Sequence, residues 1–414
     1  MKSSDRLEWH SLLLLGATAL GHVGNSAYHW ISGRLLSDNE YGLLMALFGL
    51  VNLLLLPMGA LGLSLTRAVT PLAHDGGALR ALLRRWTLLL SASAAALLLL
   101  GLACAPLLGA QLGFERLAPV LLAAAIPGLN LLLTLSGSGL QGLQRFGQLA
   151  LRGSLLFAAR AALVGACLLL GYRAAGWALL AHVLGMILAL AYSAWALQRA
   201  LPESRPAPPK PLPPVLRGSL DALPALLAFS ALLSLDAPLA RRFFTPDIAG
   251  QFAQAAVIGR MILWLPLPIA QAMFPKVVRP GAASPAQAHT LRKALLYSGA
   301  LTLAALAACW VFAPLALRLM YGIASPVPAQ IGWLRGMGLA MAPLSLVYLL
   351  LQYELACGQP RRLLPLCLCA LAYPIATAFH HPHPDALIRN LLFATSAALI
   401  AVLLATRVPS RSTP

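Results

Sequence analysis

About twelve apolar runs follow one another along the chain, each near the ~20 residues that a helix needs to cross a bilayer. They lie at approximately 11–32, 42–65, 87–110, 117–140, 152–172, 174–197, 218–240, 250–273, 294–317, 331–352, 363–380 and 386–406. No other feature constrains the fold as strongly. Inside lipid every backbone N–H and C=O must find a partner within its own segment, and a helix provides this. Composition agrees. Of the 414 residues 59% are hydrophobic and 10% charged, where a soluble chain carries roughly 25% charged residues. Such a chain cannot cover its surface with polar groups, so lipid is its solvent. The expected fold is an all-α membrane protein of about twelve transmembrane helices.

The net charge of +18 does not indicate nucleic-acid binding, because the basic residues form no single patch. They recur in short clusters between apolar runs, as in Arg80, Arg84 and Arg85. With the N-terminus inside, about twenty Lys and Arg residues fall on the cytoplasmic side and about seven on the other, the asymmetry expected of cytoplasmic loops. An even span count then puts both termini in the cytoplasm. The first apolar run continues past signal-peptide length without a small-residue cleavage site, so it reads as a helix. The six cysteines have neither metal-ligand spacing nor a disulfide framework and read as buried, inert thiols. Residues 198–217, QRALPESRPAPPKPLPPVLR, are too rich in proline for a helix and predict an extended tether. The expected organisation is a six-helix lobe at 1–197, a cytoplasmic linker at 198–217 and a second six-helix lobe at 218–414.

The two lobes begin alike. Residues 34–42 read RLLSDNEYG and residues 242–250 read RFFTPDIAG. Each has a basic residue, two large apolar residues, a hydroxyl residue, an acid and a glycine at the start of the next helix. Pro57 and Pro266 follow the two glycines at nearly equal distance, and Arg67 and Lys276 close the two helices. This is one repeat at an offset of about 208 residues. An even number of spans per half makes the repeats parallel, related by an axis along the membrane normal.

At these residues the sequence resembles the polysaccharide-flippase branch of the multidrug/oligosaccharidyl-lipid/polysaccharide exporter superfamily. The stretch SLDAPLARRFFTPDIAGQFAQAAVIGRMILWLPLPIAQAMFPKV (234–277) looks like that family's seventh and eighth helices, with Asp236 early, Asp247 and Gly250 in the turn, and Pro275 and Lys276 late. Residues 33–67 look like the matching part of its first half. Many members have fourteen helices, two more than this chain has room for. The resemblance implies a V-shaped pair of six-helix lobes around a central cavity that opens alternately to either side. It implies a multi-pass bacterial inner-membrane flippase, not an enzyme, moving a polyprenyl-pyrophosphate-linked oligosaccharide such as an O-antigen or exopolysaccharide unit. H+ or Na+ as coupling ion, and a polysaccharide polymerase as neighbour, would be its further partners. It calls for no cofactor.

Candidate site residues follow from cost. A charge at mid-bilayer costs from about 3 to more than 10 kcal/mol, so such a residue faces water or a partner. Arg160 and Arg260 fall near the middle of spans five and eight, and Arg335 falls about one turn inside span ten. Arginine's planar fork matches phosphate and stays charged, so these three are candidates for the pyrophosphate. The competing reading makes Arg260 half of a helix-packing ion pair with Asp236 or Asp221. Asp236 reads equally as a protonatable coupling site or an arginine's partner. His22 and Asn25 share a face of the first helix and suit a cavity wall or an interhelical hydrogen bond. His182 reads as a packing residue. His380, His381 and His383 stand among prolines that hinder convergence, so they predict a solvated loop and not a metal site.

Two other functions fit less well. An O-antigen polymerase or ligase needs a large outer loop, and the outer loops here are short. A cation-coupled drug exporter of the same superfamily would favour acids in its cavity, whereas this chain has more intramembrane arginine than acid.

Overall fold

The computed structural model describes residues 21, 23–114, 117–203, 217–270, 273 and 285–407. The start of the first span, most of the proline-rich tether, and Pro275 and Lys276 lie outside them, as does His22. Every regular element among the described residues is helical. Residues 23–35 form α1. Then come α2 (Asp38–Val69), α3 (Gly76–Leu112), α4 (Ala118–Gly142), α5 (Phe146–Leu169), α6 (Ala175–Ala200), α7 (Arg217–Ser234), α8 (Asp236–Phe243), α9 (Pro246–Trp264), α10 (Pro285–Tyr321), α11 (Pro328–Ala356), α12 (Pro365–Phe379) and α13 (Pro384–Arg407). Helix resumes after a turn at 265–266 and runs to Ala270. Among the described residues ten helices are long and apolar enough to cross a membrane, and α7 with α8 makes an eleventh span bent by 49°. With α1 this accounts for the spans read from the sequence.

Local chemistry fixes the helix starts. Ser37 caps α2 by accepting from the Glu40 N–H at 3.3 Å, the usual task of a serine N-cap. Asp75 caps α3 through the Ala78 N–H at 3.0 Å. At the far end of α3, Gly113 takes a φ of 65°, the left-handed turn that favours glycine. The short break after α5 is held by Gly171 at φ 91°. Pro238 accounts for the bend between α7 and α8: it has no N–H to offer the Ser234 carbonyl four residues back.

The chain forms two compact units, Met1–Leu220 and Asp221–Pro414. Inside the first, α4 packs against α2, α3 and α6, while α5 packs on α6. Inside the second, α11 packs against α9, α10 and α13, while α12 packs on α13. The two packing schemes correspond element by element. Helices α9, α10, α11 and α13 begin about 209 residues after α2, α3, α4 and α6. The repeated motif marks equivalent helix starts: Ser37 and Thr245 are N-caps with nearly the same extended backbone, at φ −67°, ψ 161° and φ −61°, ψ 151°.

Small residues let the helices approach closely, as membrane interfaces require. A Cβ on Gly259 of α9 would lie 2.7 Å from the Met337 Cβ and 3.0 Å from the Gly338 backbone nitrogen of α11, whereas one on Gly299 of α10 would meet nothing within 4 Å. Overpacking of this kind costs about 1–3 kcal/mol. Gly259→Val is therefore expected to lower the thermal unfolding temperature in detergent, with Gly299→Val close to wild type. Equal transitions for the two variants would contradict the close packing of α9 on α11.

Candidate functional site

The three intramembrane arginines occupy three different environments. Arg160, on α5, is 5% exposed. Its Nη2 donates to the Asn25 Oδ1 of α1, and its Nη1 lies 3.0 Å from the His182 Nδ1 of α6. The guanidinium carbon lies 4.8 Å from the centre of the Tyr28 ring and 4.9 Å from that of Phe157, within cation–π range. Tyr28 is itself fixed by its hydroxyl, which donates to the Ala178 carbonyl at 2.8 Å. Gly185 of α6 makes room, since a Cβ there would lie 3.1 Å from the Arg160 Cβ. The box holds the cation with neutral groups only. No carboxylate among the described residues pairs with it, and its buried Nε has no partner. Acids on the described helices of this unit are confined to Asp38 and Glu40 in the first turn of α2. Glu40 is committed elsewhere, accepting at 2.6 Å from the Ala175 N–H at the start of α6, where a helix dipole favours negative charge.

Arg260, on α9, is an ion pair with Asp236. Its Nη2 donates to both carboxylate oxygens. Asp236 is fully buried at the break between α7 and α8, whereas the Arg260 side chain keeps 18% exposure. The buried Tyr373 hydroxyl of α12 has no hydrogen-bond partner, and Tyr373 lies within electrostatic reach of both members. Of the readings open for Arg260, the ion pair with Asp236 is present. Asp221 is exposed near the start of α7.

Arg335 has a backbone task. Its Nε and Nη2 donate to the Trp310 carbonyl of α10 at 3.1 and 2.8 Å, and its guanidinium carbon lies 5.2 Å from the Trp310 ring centre. The sequence explains this choice. Residue 314 is proline, so the Trp310 carbonyl lacks the N–H that would ordinarily bond it four residues on. Arg335 supplies the missing donors.

Arg152 stands at the edge of the fifth apolar run, where the sequence alone gives it no task. It lies in the second turn of α5, and its Nη1 donates to the Leu133 carbonyl of α4 at 2.6 Å. Gly137 provides the berth, since a Cβ there would lie 2.1 Å from that nitrogen. The signal available was an arginine opposite a small-residue stretch, SGSG at 136–139.

The histidine loop is solvent-exposed at His380 and His383, as expected, and two of its imidazoles have partners. His380 Nε2 lies 2.8 Å from Arg389 Nη2, while His381 Nδ1 lies 2.9 Å from the Thr377 carbonyl. His381 also stacks on Phe243 at 4.0 Å. Among the described residues no three His, Cys, Asp or Glu side chains converge as a metal site. The six cysteines are free thiols, but half-buried and not enclosed.

Together the apolar helices and the repeated packing define a multi-pass membrane protein, and its fold is similar to that of solved MOP superfamily transporters. Its known relatives in structure include an inward-facing multidrug resistance MATE family transporter of the MOP superfamily, at TM-score 0.73 and 15% identity, over 93% of this chain and 94% of that one. The lipid II flippase MurJ, in an inward closed conformation, is similar at TM-score 0.72 and 11% identity, over 96% and 88%. A MOP superfamily transporter from Pyrococcus furiosus, described as having a binding pocket of reverse polarity, is similar at TM-score 0.64 and 16% identity, over 96% and 93%. A comparison with curated proteins finds no match. The model of the family described as polysaccharide biosynthesis protein matches residues 26–279. The chain belongs to that family.

The Arg335 assignment makes a prediction with an internal control. Arg335→Ala leaves a carbonyl without a donor, which costs about 1–3 kcal/mol. In a Pro314→Ala background the backbone N–H restored at position 314 takes over that carbonyl, so the same substitution is expected to cost less. A double-mutant cycle by chemical unfolding in micelles measures this. Additive effects of the two changes would show that Arg335 does not stand in for the absent N–H.

Proposed function

We propose that this protein is a flippase that carries a polyprenyl-pyrophosphate-linked oligosaccharide, an O-antigen or exopolysaccharide unit, across the bacterial inner membrane by alternating access. In this reading the chain consists of lobes at 1–197 and 218–414 joined by a linker at 198–217, and both termini are cytoplasmic. Family membership supports the class of cargo, and the structural likeness to a lipid II flippase supports the kind of movement.

One observation carries the reading: Arg160 is a buried cation held by neutral groups. A positive charge without a counter-ion at low dielectric projects its potential further than the same charge in water. It therefore favours an anionic headgroup at that depth. Arg260 is the partly exposed contact. It is neutralised by Asp236 at rest, and a pyrophosphate competes for the same guanidinium fork. Asp236, once displaced, becomes the carboxylate that H+ or Na+ would neutralise, which would couple transport to an ion. Asn25 orients Arg160, and His22, three residues earlier in the sequence, is a further candidate for contact with the cargo. Arg335 supports the wall through Trp310. A cation-coupled drug exporter is disfavoured because the acids on the described spans of the first unit are confined to Asp38 and Glu40 in the first turn of α2, away from mid-span.

The test uses the full chain in proteoliposomes with a fluorescent polyprenyl-pyrophosphate glycan. Arg160→Gln is expected to slow flipping at least tenfold, equivalent to about 1.4 kcal/mol. Arg160→Lys keeps the charge but loses the fork, so part of the rate returns. Wild-type rates in Arg160→Gln and Arg260→Gln alike, in correctly folded protein, would sink the proposal.

A further inference from the structure

α11 ends at Ala356, and the chain turns back through Gly358, at φ 70°, into the short 3-10 turn Pro360–Leu363 that leads to α12. Glu354, two residues before the end of α11, has 0% exposure. Neither of its carboxylate oxygens has a hydrogen-bond donor. Arg362 Nη1 stands 3.8 Å from Oε1, close enough for an ion pair but beyond hydrogen-bond reach. Five residues on, the Gln359 N–H bonds the Glu354 backbone carbonyl at 2.9 Å, while the Gln359 side-chain oxygen is buried without a donor. Three buried atoms in six residues thus lack partners, and all three are acceptors.

The shortfall has a definite chemical character. A buried acceptor without a donor costs about 1–3 kcal/mol, and more when it is charged. An ionised carboxylate away from water is costlier still unless it is paired and hydrogen-bonded. What this place lacks is a positive, donating group. A metal ion would bring charge, but the Arg362 guanidinium at 3.8 Å opposes a second cation, and no cluster of three metal-ligating side chains occurs among the described residues. A proton meets both needs, since it neutralises the carboxylate and converts one oxygen into a donor.

We infer that Glu354 is a proton-binding site, with Arg362 as the cation that competes with the proton for the carboxylate. A proton from the water at this end of α11 binds one Glu354 oxygen, and the charge pair dissolves. Arg362, whose side chain is 21% exposed, is released toward solvent, and the α11–α12 turn loses this side-chain tie to the helix while the backbone bond from Gln359 remains. Tyr353 and Cys357 are the titratable neighbours on α11 and its C-cap. No charged side chain described on α9, α10 or α13 pairs with Glu354. This site is separate from the Asp236 pair, whose two oxygens are already occupied by Arg260.

Infrared difference spectroscopy of the full-length protein in nanodiscs tests this without any transport substrate. The spectrum of wild type minus Glu354→Gln is expected to contain the C=O stretch of a protonated carboxyl at low pH, fading as pH rises. In Arg362→Gln the same band is expected to persist to higher pH, because removing an opposite charge favours the neutral acid. No protonated-carboxyl band at any pH from about 5 to 9, where the cell's compartments fall and ordinary exposed carboxylates are ionised, would overturn the site. An unchanged midpoint in Arg362→Gln would overturn the role given to Arg362. Should Glu354→Gln not purify, the comparison of Arg362→Gln with wild type still decides, since the titration of the band must move there.

Discussion

At bilayer depth there is no water to complete a hydrogen bond, and the arrangement of polar groups in both units follows from that lack. Several hydroxyls turn to carbonyls or to one another. Ser138 donates to the Gly62 carbonyl at 2.8 Å, Ser136 meets Ser193 at 2.8 Å, and Thr302 meets Ser345 at 3.2 Å. Such contacts between membrane helices average only about 0.6 kcal/mol each in measured cases. Their larger effect is to fix which faces meet. The same need explains the Arg335 contact, where a proline in one helix determines the neighbour that the next helix must present.

The three intramembrane arginines show how surroundings set the task of one residue type. With a carboxylate partner, Arg260 belongs to a neutral pair. Facing a carbonyl stripped of its N–H, Arg335 completes a backbone. Among an amide, an imidazole and two aromatic rings, Arg160 keeps its charge. The three sequence neighbourhoods look alike, each an arginine in an apolar helix. The distinction arises from which residues of other helices arrive there.

Much of this is legible in the sequence. The helices and their order follow from apolar run length, and the duplication follows from RLLSDNEYG and RFFTPDIAG because capping chemistry is local. The pairing of Arg260 with Asp236 is among the readings the sequence allows, since both are costly alone. What periodicity does not reveal depends on contacts between helices. Arg152 has no task legible in the sequence, because an arginine near the end of an apolar run ordinarily marks a boundary; only the bare surface of Gly137 on α4 gives it a place inside. Glu354 stands just past the tenth apolar run, and nothing in its sequence neighbourhood reveals that it is fully buried.

Helices α3 and α10 each contain 37 residues, about 55 Å at 1.5 Å per residue, against about 30 Å of hydrocarbon. In α3 the surplus includes a stretch where Arg80, Arg84 and Arg85 are exposed while Leu79, Leu82, Leu83 and Trp86 are buried. Those four join Leu65, Val69, Leu72 and Leu140 in one apolar cluster. This part of the bundle is built like an ordinary water-soluble protein, cohering because water expels its leucines. Lipid has no such preference among helices. One continuous rod thus passes through two solvents, and its two stretches obey different rules: urea and guanidinium should loosen the watery stretch, and a change of lipid or detergent the other.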